Sequence, residues 1–308
     1  MIDFSSKPLF LAPLAGYTDP PFRSVVKRFG VDVTVSEMIS SNALVYTNEK
    51  TLKMLQKSPL ETPYSVQIAG DDVGVIQKAV HILNEYNGID IIDLNAGCPA
   101  KKVVGNNQGS ALLKDLKKLQ EIVKTIKKTS DKPMTSVKVR LGWSTNNIVD
   151  IVKAIEDAGA DFITIHGRTR SQLFGGYVNY EAIAEAKIST KIPIVANGDI
   201  DSYAKAKAVF EATGCDGIMI GRASIGNPWI FYQIKHSIKE PSLALKKEVV
   251  LEHLDRVCEF YGDRGIAIFR KHLHTYSKGL RGATSFREKV NTTKEKEQLV
   301  ELIEEYFA

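Results

Sequence analysis

Short runs of apolar and β-branched residues recur along the first three quarters of the chain: 9–14 (LFLAPL), 31–37 (VDVTVSE), 64–70 (YSVQIAG), 89–97 (IDIIDLNAG), 135–142 (TSVKVRLG), 161–167 (DFITIHG), 192–200 (IPIVANGDI) and 216–223 (DGIMIGRA). Each reads as a strand. Between them lie longer stretches, such as 73–86, 117–128, 147–159 and 201–214, whose apolar residues return every third or fourth position, the period of an amphipathic helix. Parallel strands joined by right-handed helical crossovers satisfy that alternation. Eight repeats predict a closed (β/α)8 barrel, a TIM barrel, over residues 1–240. An open doubly wound sheet is the rival architecture. From Pro241 onward the pattern changes to helical periodicity with dense charge and no strand run. Leu251, Leu254, Val257, Cys258 and Tyr261 share one helix face, as do Leu299, Leu302, Ile303 and Tyr306. Residues 241–308 are therefore expected to form a separate all-α helical-bundle domain.

Composition narrows the class without deciding it. The 308 residues are 44% hydrophobic and 25% charged, an ordinary globular balance. No window approaches the ~18 consecutive apolar residues of a membrane span, and the first residues carry no basic leader. A soluble, cytoplasmic protein is expected. Cys98, Cys215 and Cys258 are too few and too scattered for a disulfide framework and lack metal-ligand spacing, so no metal is expected. The net charge of +5 becomes informative where it concentrates. From 264 to 289 seven basic residues (Arg264, Arg270, Lys271, Lys278, Arg281, Arg287, Lys289) face one acid, Glu288. Such a segment is either a polyanion-binding surface or a solvated helix face.

In parallel barrels functional groups gather at the C-terminal strand ends, and here those ends are unusually polar. Glu37, Gln67, Asn95, Lys138, Arg140, His166, Arg168 and Asn197 all close strand runs. The last two runs end in VANGDI and IGRA, which suit a phosphate cradle completed by a short helix opening at Asn227-Pro228, although either glycine alone also suits a tight turn. Lys138 sits on an alternating strand that aims its ammonium into the barrel mouth. There it would form a Schiff base or stabilise the electron-rich atoms of a reduced flavin. Cys98, in LNAGCPAKKV beside Lys101 and Lys102, is placed to act as acid or nucleophile, whereas Cys215 and Cys258 read as structural.

These motifs resemble those of the tRNA-dihydrouridine synthase family, in particular its bacterial B-type members. The resemblance runs through LAPLAGYTDPPFR (11–23), VSEMISSNAL (35–44), SVQIAG (65–70), IDLNAGCPAKKV (92–103), GSALL (109–113), VKVRLGW (137–143), TIHGRTR (164–170), VANGDI (195–200), MIGRASIGNPWIF (219–231) and RKHLHTY (270–276). It implies an FMN-binding barrel with a C-terminal helical domain that reduces the C5=C6 bond of uridine in the D-loop of tRNA, with NADPH as electron donor. By that resemblance Pro13, Leu14 and Ala15 would touch the flavin, and Gln67, Lys138 and His166 would bond its ring or ribityl chain. Asn197, Gly198, Asp199, Gly221 and Arg222 would hold the phosphate region. Asn95 would bind the uracil, and Cys98 would protonate C5 after hydride passes from flavin N5 to C6. Arg270, Lys271, Lys278, Arg281 and Arg287 would grip the tRNA at its D-loop and elbow, because a stacked uracil must be turned out to reach a barrel mouth. Leu14 stands where methionine is common in the family. The alternatives are an FMN barrel acting on a small molecule (dihydroorotate dehydrogenase-like or old-yellow-type), a Schiff-base aldolase using Lys138, and a non-catalytic RNA-binding protein. For the small-molecule alternative, which has no need of the basic helical tail, deleting residues 241–308 is expected to spare turnover, whereas activity on tRNA would be abolished.

Overall fold

The computed structural model describes residues 1–46, 49–238 and 240–308. In chain order its elements are β1 (Leu9–Leu11), α1 (Pro20–Lys27), β2 (Val33–Val35), β3 (Ile39–Ser40), α2 (Ser41–Val45), α3 (Glu49–Lys53), β4 (Tyr64–Ala69), α4 (Val73–Asn84), β5 (Ile91–Ala96), α5 (Lys101–Val104) and α6 (Leu116–Thr129). There follow β6 (Met134–Arg140), α7 (Ile148–Asp157), β7 (Phe162–His166), α8 (Tyr180–Ile188), β8 (Ile194–Asn197), α9 (Tyr203–Thr213), β9 (Gly217–Ile220) and α10 (Ile230–His236). Four helices complete the chain: α11 (Leu243–Tyr261), α12 (Gly265–Tyr276), α13 (Ala283–Thr292) and α14 (Lys296–Tyr306).

All strand pairings are parallel, and β1 pairs with both β2 and β9 while β2 pairs with β4, so the sheet closes on itself. The doubly wound alternative is excluded. Eight strands form the barrel; the two-residue β3 adds a short pairing at the end of β4. The four helical stretches read from periodicity appear as α4, α6, α7 and α9. Each is started by local chemistry where the side chain allows: Asp72 caps α4, Asp115 caps α6 and Ser202 caps α9 by accepting a backbone N–H of the first turn.

The barrel interior is graded along its axis. Near the N-terminal end Phe10, Ile91, Phe162 and Val195 form an apolar layer, against which Ile2 and Phe4 pack. Toward the C-terminal end the inward positions turn polar. Because side chains alternate along a strand, Ser136, Lys138 and Arg140 share one side of β6, and Asp93 and Asn95 share one side of β5. Register does the rest: Gln67 lies opposite Asp93, Asn95 opposite Lys138, and Arg140 opposite His166, which is opposite Asn197.

The helices after α10 pack around a separate core containing Val249, Val250, Leu254, Val257, Phe269, Leu273, Phe286, Val290, Leu299, Ile303 and Phe307. Val25 and Phe29 of the α1 region and Trp229 belong to this same core. The buried face of α11 is Val249, Val250, His253, Leu254 and Val257. Leu251 and Cys258 are only partly covered, because the face is rotated toward α1. The helix expected at Asn227-Pro228 begins instead at Ile230, after turn residues.

Candidate functional site

A cavity of about 610 Å³ opens at the C-terminal mouth of the barrel. Its lining includes Pro13, Leu14 and Ala15 from the loop after β1, Gln67 from β4, Asn95 and Cys98 from the end of β5, Lys138 and Arg140 from β6, and His166 from β7. Asn197, Gly198 and Asp199 after β8, Gly221 and Arg222 after β9, and Lys278 beyond α12 complete the side relevant here. Residues scattered over more than 260 positions of sequence therefore meet in one hollow of a size that suits a cofactor.

Two hydrogen-bonded chains organise it. In the first, Ser136 Oγ donates to Asp93 Oδ1 (2.5 Å) and Gln67 Nε2 donates to Asp93 Oδ2 (2.7 Å). Asn95 Nδ2 then donates to Gln67 Oε1 (2.7 Å). That orients Asn95 Oδ1 to accept the backbone N–H groups of Gly97 (3.1 Å) and Cys98 (2.9 Å). Arg140 Nε donates to Gly97 O (3.0 Å), and Ser110 Oγ donates to Cys98 O (2.9 Å). The loop bearing the thiol is thus held by Asn95, Arg140 and Ser110, with Cys98 itself partly exposed to the cavity. Burial pushes the Asp93 carboxyl up to about 6, against the opposing pull of its bonds to Ser136 and Gln67.

In the second chain Asn197 Nδ2 donates to Met219 O (2.7 Å), which turns Oδ1 toward Lys138 Nζ (3.1 Å) and His166 Nδ1 (3.0 Å). Since Oδ1 only accepts, Nδ1 carries the imidazole proton. Burial, with Lys138 and Arg140 nearby, holds His166 down to about 3, so the ring is neutral. Its Nε2 is then a lone pair, buried and without a partner among the described residues, waiting for a donor. Lys138 is lowered to about 8 by burial and then by the Arg140 charge.

At the phosphate-like corner the carboxylate of Asp199 is shared. Arg168 Nη2 donates to Oδ2 (2.5 Å) and Arg222 Nη2 to Oδ1 (2.9 Å), and these bonds hold the Asp199 carboxyl below its usual range. Asp199 thus positions two guanidiniums, of which Arg222 lines the cavity. The Arg222 guanidinium also lies 4.8 Å from the Phe174 ring centroid. A Cβ at Gly221 would meet only ordinary contact, with Ala12 and Leu14, both cavity-lining residues. It would take up space in the hollow.

Of the basic residues expected to hold RNA, only Lys278 lines the cavity. Arg281 is exposed. The other three are engaged internally: Arg270 Nη2 donates to Thr293 O (2.8 Å), Arg287 Nε donates to Ser277 Oγ (3.0 Å), and Lys271 Nζ bonds Gly16 O in the loop after β1. Sequence reasoning overlooked a role for Arg140, although its place on the Lys138 side of β6 was readable from alternation. It also overlooked Phe174 and Met38, which line the cavity from loops and carry no periodic signal.

Comparison with known proteins follows the same lines. A family model described as Dihydrouridine synthase (Dus) matches residues 10–308. The chain is 51% identical to a "Probable tRNA-dihydrouridine synthase" of Helicobacter pylori J99, covering 99% of this chain and 94% of that one. It is 40% identical to "tRNA-dihydrouridine synthase B" of Pseudomonas aeruginosa, covering 97% and 92%. Among solved structures, an old yellow enzyme homologue from Zymomonas mobilis is similar in fold, with a TM-score of 0.53 at 14% identity, covering 77% of this chain and 90% of that one. TcOYE with pHBA gives a TM-score of 0.55 at 8% identity, covering 83% and 94%.

Proposed function

The chain belongs to the dihydrouridine synthase family and is an oxidoreductase acting on tRNA; from that premise we propose that it binds FMN in the barrel cavity, draws electrons from NADPH, and reduces the C5=C6 bond of a D-loop uridine with Cys98 as the proton donor. One observation supports this above the rest: the thiol of Cys98 and the ammonium of Lys138 line a single cavity whose mouth also carries basic side chains.

The residues present fit a flavin on independent grounds. His166 Nε2, an unpaired acceptor, is suited to a ribityl hydroxyl and would be unsuited to a phosphate oxygen, which also only accepts. The Arg222 guanidinium, which lines the cavity beside Gly198 and Gly221, suits the phosphate. When bound, the flavin supplies hydride to C6 of the uracil. Lys138 places a cation against the electron-rich edge of the ring. Arg140 and Asn95 fix the backbone of the 97–98 loop so that the sulfur of Cys98 faces the base and can deliver its proton to C5. Asn95 keeps one amide N–H uncommitted for the uracil, since its other bonds are spent on Gln67 and the loop. Lys278 and Arg281 hold the RNA from residues 241–308, the tRNA-binding part, at the D-loop and elbow. The setting is the cytoplasm.

The test is Cys98→Ala. It should retain a yellow flavin spectrum and tRNA affinity while dihydrouridine formation falls by about 10²–10⁴-fold, the usual worth of a positioned proton donor. Undiminished dihydrouridine in that variant would remove Cys98 from the role.

A further inference from the structure

We propose that the barrel rim opposite the helical part is a second phosphate-binding surface for the RNA backbone, built on Lys114, Trp143 and Arg170 with Lys101 and Lys102 beside them. It rests on the reading above and adds where the barrel itself holds the substrate.

The location follows from the ring of strands. In the order β1-β2-β4-β5-β6-β7-β8-β9, the strands facing β9 and β1 across the barrel are β5 and β6. The helical part packs on the β9–β1 side, through Val25, Phe29 and Trp229. Lys101, Lys102, Lys114, Trp143 and Arg170 belong to the loops after β5, β6 and β7, on the far side of the cavity. An RNA strand that sends one nucleotide into the cavity must leave backbone on both sides of the mouth.

Charge on that far rim matches the demand. Residues 97–118, 141–147 and 167–179 together hold seven basic side chains and one acid, Asp115, with Lys118 paired to Asp71 and Arg168 to Asp199 from neighbouring loops. The Asp115 carboxylate is occupied as the cap of α6, accepting from Lys118 N (3.0 Å). Among the described residues, Lys101, Lys102, Lys114 and Arg170 have no carboxylate partner. None of their side chains makes a hydrogen bond there either, in contrast to Arg140 and Arg168, whose donors are committed to loop carbonyls.

Trp143 arranges two of these cations. Lys114 Nζ lies 4.6 Å and the Arg170 guanidinium 4.3 Å from the indole ring. The ring's negative face offsets part of the repulsion between them, but two uncompensated positive charges on one ring remain short of an anion. The backbone fixes the set: Arg170 N donates to Gly142 O (2.9 Å) and Ser171 N to Trp143 O (2.9 Å). Lys114 ends the turn Gly109–Lys114, whose Ser110 bonds Cys98 O through both N–H and hydroxyl. Phosphates gripped by this rim would therefore be registered to the thiol through a rigid connection.

The same donors would accept a phosphate of the dinucleotide reductant. The exposed Lys101, Lys102 and Lys114 of the connection after β5, with Arg170 from the loop after β7, favour a polyanionic backbone. The test separates these sources by measuring tRNA affinity against salt, and KM for NADPH, in Lys114→Ala/Arg170→Ala and in Lys101→Ala/Lys102→Ala. For the first pair the slope of log K against log salt should fall by about one for each phosphate that is no longer held, with Kd raised on the order of tenfold at fixed salt. KM for NADPH should not move. The exposed Lys101/Lys102 pair is a second variant immune to folding loss, and should also lower the slope; flavin absorbance verifies folding in both. An unchanged slope in both variants, or a raised KM for NADPH with tRNA affinity intact, would overturn the inference while leaving the reductase reading standing. Absence of tRNA binding by the unmutated protein would overturn both.

Discussion

Lys138 and His166 share one acceptor, Asn197 Oδ1, and the shared bond decides what each can do. With His166 neutral, Lys138 is the titrating cation of that corner. Its pKa in the folded chain lies near 8, below the ordinary 10.5, so between these values the unfolded chain holds a proton that the folded one has released. Stability must then rise with pH across that window. We expect the flavin-free protein to gain stability relative to Lys138→Met between about pH 8 and about pH 9.5, read from denaturant midpoints at each pH; a flat difference would mean the lysine is solvated. Asp93 sets the other chain. Replacing it by Asn gives Ser136 and Gln67 one acceptor where two are needed, and a rotated Gln67 amide would present Nε2 to Asn95 Nδ2. Asp93→Asn should therefore loosen the 97–98 loop and lower turnover by about ten- to a hundredfold with flavin retained, since small misplacements of a reacting group have large effects. Parallel loss of flavin and turnover would point to general disruption.

At the scale of elements, α1 is locked to the sheet by a buried ion pair. Arg23 Nε donates to Glu61 Oε1 (2.6 Å), and both side chains are almost wholly inaccessible. The guanidinium also donates to Thr18 O and Gln56 O, while Glu61 accepts from Thr34 Oγ1 on β2. Helix, strand and the loop after β1 thus share one charge-compensated node. Glu61→Ala leaves Arg23 buried without its counterion and should cost about 3–5 kcal/mol, visible as a lower urea midpoint. A loss below about 1 kcal/mol, the range of exposed pairs, would mean water reaches the node.

Across the whole molecule, the barrel and the helical part are not independent. Val25, Phe29 and Trp229 of the barrel side lie in the helical core. Tyr261 donates to Asp19 Oδ2 (3.0 Å), and Lys271 bonds Gly16 O. These contacts reach the loop that carries Pro13, Leu14 and Ala15 into the cavity. Deleting residues 241–308 would expose the three apolar side chains and release that loop. The small-molecule alternative expects the truncated barrel to keep its turnover; the packing predicts instead a truncated protein with reduced solubility and reduced flavin content, measured as the ratio of visible to ultraviolet absorbance. Full flavin content in soluble 1–240 would show that the loop needs no support from the helices. Lys278→Ala and Arg281→Ala are the cleaner probes of RNA binding.

The strand and helix order, and with it the barrel, was legible in the sequence because the two periodicities are local properties of the chain. The candidate cavity residues were legible for a related reason: a barrel strand ends at a known place, so polar residues closing the runs 64–70, 89–97, 135–142, 161–167 and 192–200 were bound to face one mouth. What the tertiary structure alone decided is partnership. That Arg270, Lys271 and Arg287 spend donors on the protein while Lys278 reaches the cavity depends on how α12 and α13 pack. The proton position on His166 depends on Met219 O orienting Asn197, and the pairing of Lys114 with Arg170 on Trp143 on three loops meeting. Periodicity specifies which face a residue takes; the partner on that face comes from distant chain, which the local pattern does not encode.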